Sequence, residues 1–298
     1  MGERGVRRLA GHMTTTTRTK TDPTDLTVVV TGASGRTGRR VAEAARDQGL
    51  TVRAASRATG FDWNDPATWA DTLRGADAAY LAHPTDIGAP GTAEAVGALA
   101  AKAVGLGVGR LVLLSARGED QALPAEEALR ASGAEWTVVR AAWFAQNFSE
   151  GPLAEELRHT GGLVFAADEV AEPFVDLRDV AEVAVAALAP ADRDRYAGRV
   201  LEVSGPRLLT FGEAVAEVGA ATGRELAYRP VPAAEYGAHL AGFGIPDEEA
   251  AFLTEVFSTL LDGRNAHLSD GVREVLGREP RDFRDFAREA AAAGAWRS

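Results

Sequence analysis

The residues whose types and spacing can do chemistry begin at Gly32. Gly32, Gly35 and Gly38 stand three apart, directly behind Val28, Val29 and Val30 and ahead of a helix-permissive run from Arg39 to Gln48 that Gly49 ends. Strand, tight turn and helix start in that order present backbone N–H groups, at the positive end of a helix dipole, to a pyrophosphate. Gly32 lets the chain turn off the strand, Gly35 lets backbone approach the phosphates, and Gly38 lets the helix pack close to the sheet. Ser34, Arg36 and Thr37 fill the turn with hydroxyls and a cation. A second strand, Thr51 to Ser56, should end where the adenosine ribose lies. Sites for NAD usually place Asp or Glu there; this chain places Ser56 and Arg57, with Arg36 nearby. Guanidinium groups and a hydroxyl suit a 2′-phosphate, so the reading is NADP(H) over NAD(H).

Further candidates follow later strands. Ala76 to Ala82 reads as a buried strand opening onto His83, and Arg110 to Ser115 as another that ends in a hydroxyl. Trp136 to Arg140 is a third, and after its carboxyl end come Ala142, Trp143, Phe144, Gln146, Asn147 and Phe148. Loops at the carboxyl ends of parallel strands line the ligand crevice. Trp143, Gln146 and Phe148 are therefore expected to meet the substrate. Ser115 is the first candidate proton donor and Asn147 the second; a phenol on the substrate beside its carbonyl is another source.

Other chemistries fit poorly. The chain has no cysteine, hence no disulfide, thiolate zinc site or cysteine nucleophile. Its five histidines show no HExxH or paired spacing, so no metal is expected. No GxSxG or GK[ST] pattern is present. The carboxylates of Glu126-Glu127 and Glu248-Glu249 are adjacent on expected helices, splay apart, and read as solvated faces. A formal net charge of −11 argues against nucleic acid as a partner.

These residues need a scaffold, and the 298-residue chain supplies an alternation of strands and helices. Phe61-Asp62-Trp63 is expected as a short third strand. Helices are expected over Glu94–Leu106, Pro124–Ser132 and Asp179–Leu188, with a strand over Arg199–Val203. The pattern is a Rossmann-type, doubly wound parallel α/β sheet over 26–150 and 173–203. Thr210 and Glu213 form a capping box opening a helix, and further helices run from Pro246 to Leu261 and from Arg281 to Ala293. Residues 151–172 and 204–298 are thus expected to form a smaller, mostly helical substrate lobe. Residues 1–25, basic and then threonine-rich, read as a disordered arm with Met13 as a second possible start. No apolar run reaches membrane-spanning length, so a soluble, cytoplasmic protein of open oligomeric state is expected.

TGASGRTG, SxxR at the second strand end, LLSARG, EWTVVRAAWFAQNF, EPFVDLRDVAEVAVAAL and the closing LGREPRDFRDFAREAAAAGAW together resemble the atypical short-chain dehydrogenase/reductases of the NmrA-like group. The resemblance implies that Gly32, Ser34, Gly35, Arg36, Thr37 and Gly38 hold the pyrophosphate and 2′-phosphate with Arg57. It also implies that Asp62 and Trp63 flank adenine, and that Ala82, His83, Ser115, Ala142 and Phe144 line the ribose and nicotinamide. That group contains true reductases and cofactor-sensing regulators. The tyrosine and lysine that short-chain reductases carry four residues apart are missing: the region reads Gly118-Glu119-Asp120-Gln121-Ala122-Leu123-Pro124-Ala125-Glu126-Glu127. The alanine- and arginine-rich composition also resembles actinobacterial proteins, among them antibiotic-biosynthesis ketoreductases acting on aromatic polyketides of the angucyclinone, simocyclinone type. The leading expectation is NADPH-dependent reduction of a carbonyl on a bulky aromatic substrate; a non-catalytic NADP(H) sensor and a quinone reductase are the alternatives.

Overall fold

The structure, a computed structural model, describes residues 26–189, 193–242 and 245–297. The expectations for residues 1–25, and the side chain of Glu249, lie outside the described residues. Six parallel strands form the central sheet: β1 (Thr27–Thr31), β2 (Thr51–Ala55), β3 (Ala78–Leu81), β4 (Arg110–Ala116), β5 (Glu135–Ala141) and β8 (Arg199–Val203), in the order β2-β1-β3-β4-β5-β8. Val28, Val29 and Val30 of β1 are all buried, because a parallel sheet is covered on both faces. Helices α1 (Arg36–Asp47) and α6 (Leu177–Leu188) cover one face. On the other lie α2 (Trp69–Leu73), α3 (Thr92–Gly105) and α4 (Leu123–Arg130). The strand order reverses between β1 and β3, which opens a crevice at the carboxyl ends of the strands.

The third strand expected at Phe61-Asp62-Trp63 does not form. Asp62 turns the chain instead: its carboxylate accepts the Asn64 N–H at 2.9 Å and its carbonyl the Trp69 indole N–H at 2.8 Å. Phe61 and Trp63 pack edge to face into the sheet's α2/α3 side, so their apolarity reflects a buried turn rather than a strand. α1 begins three residues earlier than expected, at Arg36, with Gly35 as its N-cap.

The second lobe has its own core, built around Phe148, Phe165, Phe174, Phe211 and Phe283. It contains α5 (Pro152–Thr160), α8 (Phe211–Thr222), α9 (Ala233–Gly242), α10 (Asp247–Leu260) and α12 (Phe283–Ala292). The Thr210–Glu213 capping box is present. Two small sheets were missed: β6 (Gly162–Phe165) parallel to β10 (Ala227–Pro230), and β7 (Ala171–Glu172) antiparallel to β9 (Leu209–Thr210). These strands are too short to show alternation in the sequence. α7 (Arg193–Tyr196) precedes β8, and α11 (Gly271–Leu276) leaves the lobe to pack against α6 and β8, where Val272 joins the nucleotide domain's core.

Candidate functional site

The crevice is built upward from the glycine turn. Gly32 adopts φ +62°, reached without strain by glycine, and its carbonyl accepts the Gly35 N–H at 2.8 Å. Gly38 lies so close beneath the turn that a Cβ there would stand 2.2 Å from the Gly32 carbonyl oxygen. The turn is fixed from the side by Thr31, whose hydroxyl donates to the Tyr80 carbonyl on β3 and accepts the N–H of Ala82 just beyond it. No side chain caps α1 and no acid occupies its first turn. The helix N-terminus with Ser34, Gly35 and Thr37 is therefore a cradle suited to an anion, and the pyrophosphate of a dinucleotide fits it.

At the end of β2, Thr59 closes the turn by accepting the Ser56 N–H at 2.9 Å and donating to the Ala54 carbonyl. The Arg57 side chain is exposed and makes no hydrogen bond or ion pair with another described residue. Arg36 is differently placed. It extends away from β2 to donate to Asn147 Oδ1 at 2.6 Å and the Glu150 carbonyl at 3.4 Å, while Glu150's carboxylate takes Arg39 and Arg40 at 2.5 Å each. Burial opposes ionisation of Glu150, but the two guanidinium groups outweigh it and hold its carboxyl below the usual range. Trp63 is buried and its ring meets the His83 imidazole at 4.9 Å, so the residues expected at adenine and at the ribose support each other. His83 Nδ1 lies 2.9 Å from the Thr85 hydroxyl, and burial lowers its pKa, favouring the neutral ring.

Ser115 does not offer its proton to the crevice. It is buried and donates to Glu126 Oε1 at 2.7 Å. Glu126, expected on a solvated face, is fully buried: Arg140 grips both its oxygens at 2.7 Å, and Arg130 adds a contact at 3.1 Å. A carboxylate surrounded by two guanidinium groups and a hydroxyl is a structural anchor tying α4 to β4 and β5.

The loop after β5 divides its residues. Trp143 is half-buried and packs against Phe165, Phe211 and Phe257 of the second lobe, with centroids 5.4–5.7 Å apart. Its indole N–H has no hydrogen-bond partner among the described residues. Phe144 bridges to Val175 and packs on the α1/α6 core beside Ala142. Gln146 and Phe148, expected to meet substrate, face inward. The Gln146 amide donates to Asp176 Oδ1 at 2.9 Å and accepts the Leu177 N–H at 2.8 Å; Phe148 sits between Phe174 and Phe283. Both hold the loop on α6 and on the lobe, a task that the mixed amide-aromatic sequence does not distinguish from pocket lining.

Charged groups after β3, β4 and β6 were overlooked. Arg117 is buried, donates to the His267 carbonyl at 2.6 Å and lies 3.5 Å from Glu202. Glu172 is fully buried near it, and burial raises its pKa to about 7 although Arg117 pulls the other way. Glu119 is also buried; desolvation and then the facing Asp86 carboxyl raise its pKa to about 8. The available signal was the run Arg117-Gly118-Glu119-Asp120, charged where a strand-end loop should be.

Fold and cradle together define a dinucleotide-binding protein with a doubly wound parallel sheet. Residues 32–190 match the family model described as NAD(P)H-binding, and the chain belongs to that family. It is an NAD(P)H-dependent oxidoreductase. It is 30% identical to the uncharacterized oxidoreductase YesF of Bacillus subtilis, over 91% of this chain and 96% of that one. It is 32% identical to the (4-alkanoyl-5-oxo-2,5-dihydrofuran-3-yl)methyl phosphate reductase of Streptomyces griseus, over 89% and 98%. The NADPH-dependent quinone oxidoreductase QOR2 of Escherichia coli has a similar fold, with a TM-score of 0.73 at 21% identity, covering 89% of this chain and 99% of that one. Among the described residues no helix is long and apolar enough to cross a membrane, and no group of three or more His, Asp or Glu could hold a metal.

Proposed function

We propose that this chain uses NADPH to reduce a carbonyl or quinone on a bulky aromatic, polyketide-like substrate. The observation that carries the reading is Trp143: it stands at the joint between the nucleotide domain and the lobe, backed by Phe165, Phe211 and Phe257, directly after the strand end where the nicotinamide belongs. An apolar aromatic wall suits a flat aromatic acceptor. Ser34, Gly35, Thr37 and the first turn of α1 would hold the pyrophosphate, Arg57 the 2′-phosphate, joined by Arg36 once it is released from Asn147, and Ala82, His83, Ala142 and Phe144 the ribose and nicotinamide. The bound coenzyme supplies the hydride; the chain orients the acceptor over it and keeps water from the apolar side.

The test is incubation of the purified protein with NADPH and a panel of para-quinones and polycyclic aromatic ketones. Sustained loss of the nicotinamide absorbance with at least one of them, faster with NADPH than NADH, is expected. Tight NADPH binding with no turnover across the panel would assign the chain instead as a cofactor sensor.

A further inference from the structure

Reduction of a neutral carbonyl or quinone consumes a proton along with each hydride, and the chain lacks the phenol that usually gives it. Ser115 is committed to Glu126. Besides a phenol on the substrate itself, the crevice rim is where another donor would lie.

Asp86 lies in the loop after β3 and Glu119 in the loop after β4, the two central strands whose ends border the crevice. Glu119 is 5% exposed, and its Oε1 is buried with no hydrogen-bond partner among the described residues. That oxygen is pressed against the opposite loop: a Cβ on Gly88 would lie 2.1 Å from it. Asp86 faces it, its own Oδ1 accepting the Gly88 N–H at 2.8 Å. Among the described residues no cation is turned between them. Arg117 is turned to Glu202 and the His267 carbonyl, and Arg264, which reaches the same loop, is spent on Asp262 and Asp120. His83, three residues before Asp86, is turned to Thr85. Glu119, desolvated and faced by a second carboxyl group, keeps its proton at neutral pH.

We propose that Glu119, with the Asp86 carboxyl group facing it, is the proton donor of the reduction, delivering its carboxyl proton to the oxygen of the acceptor. This rests on the reductase reading above. The acceptor gains a hydride from the reduced coenzyme, which leaves oxidised, and one proton from Glu119, which is left as a carboxylate and recovers a proton from solvent. The pair thus takes the place of the absent tyrosine and lysine, with burial and a like charge, rather than a neighbouring cation, setting the titration.

The test follows kcat/KM for a para-quinone against pH in the wild type, Glu119→Gln and Asp86→Asn, with the infrared carbonyl band of a protonated carboxyl recorded on the protein without coenzyme. The wild-type rate is expected to fall as pH passes about 8, where the carboxyl band is also lost. Glu119→Gln should lower kcat/KM about 10²-fold, abolish the alkaline limb and remove the band, with NADPH affinity unchanged. Asp86→Asn removes the facing charge, so limb and band should both move to lower pH. A structural role would lower the rate equally at all pH and leave the limb in place. Normal turnover with an unmoved limb in both variants, or no titrating band in the wild type, overturns the proposal; absence of turnover with every acceptor, with the band intact, overturns the reductase reading and the donor role with it.

Discussion

The Arg36 guanidinium is held 2.6 Å from Asn147 Oδ1, joining the glycine turn to the loop after β5 across the crevice. A neutral amide is a weaker partner for a guanidinium than a phosphate, so an arriving pyrophosphate or 2′-phosphate competes on favourable terms. Arg36→Ala is expected to weaken NADPH binding at least tenfold, equivalent to the loss of about 1.5–3 kcal/mol in hydrogen bonds to a charged group. Asn147→Ala should change it less than about threefold, because the amide only positions the guanidinium. Titration calorimetry distinguishes them; equal losses in the two variants would mean that Asn147 itself holds coenzyme.

Arg57 makes a sharper prediction. Its side chain is exposed at the end of β2 with no partner among the described residues, so removing it disturbs nothing else in the fold. Arg57→Ala should cost NADPH roughly tenfold or more in affinity and leave NADH nearly unaffected, since only NADPH carries the 2′-phosphate. A fall in both affinities by the same factor would place Arg57 on the shared pyrophosphate.

Fold and cradle were legible because they are local. Val28–Val30, the glycine spacing and the alternating elements carry backbone requirements that no distant contact overrides. What the sequence hid depends on long-range pairing. Glu126 reads as a surface acid on α4 until Arg140, fourteen residues away on β5, is seen to close on it. Gln146 reads as a pocket amide until Asp176 and the Leu177 N–H take both its ends. Phe61 and Trp63 have strand-forming side chains, but Asp62 between them makes the turn. Burial of a polar residue is decided by its partner, and partners far along the chain leave no mark in local periodicity.

Glu126 also separates structural from chemical roles for Ser115. Glu126→Ala would leave Arg140 facing Glu202 alone and strand the Ser115 hydroxyl, and a loss of about 3–5 kcal/mol is expected. Ser115→Ala removes one of the hydrogen bonds to Glu126 and should cost about 1–2 kcal/mol. Urea unfolding reads both. Turnover by Ser115→Ala, measured with NADPH saturating, should stay within about threefold of the wild type, since the hydroxyl's proton already points at Glu126; loss of turnover with stability intact would restore Ser115 as the donor.

Glu172 gives the stability a pH dependence of definite sign. Its carboxyl is fully buried with neither oxygen hydrogen-bonded among the described residues, and burial holds its pKa at about 7 against an ordinary value of 4.5. Across that interval the folded chain keeps a proton that the unfolded chain has lost, so this group makes the fold less stable as pH rises from about 4.5 to about 7, after which the penalty is constant. Glu172→Gln preserves the shape and removes the penalty. The variant should match the wild type near pH 4 and exceed it near pH 8 by on the order of 3 kcal/mol, the free energy of the shift. Urea denaturation at the two pH values checks this: an equal difference at both would mean that Glu172 does not titrate in the fold, and a variant less stable at about pH 8 would mean that its attraction to Arg117 outweighs the cost of its burial.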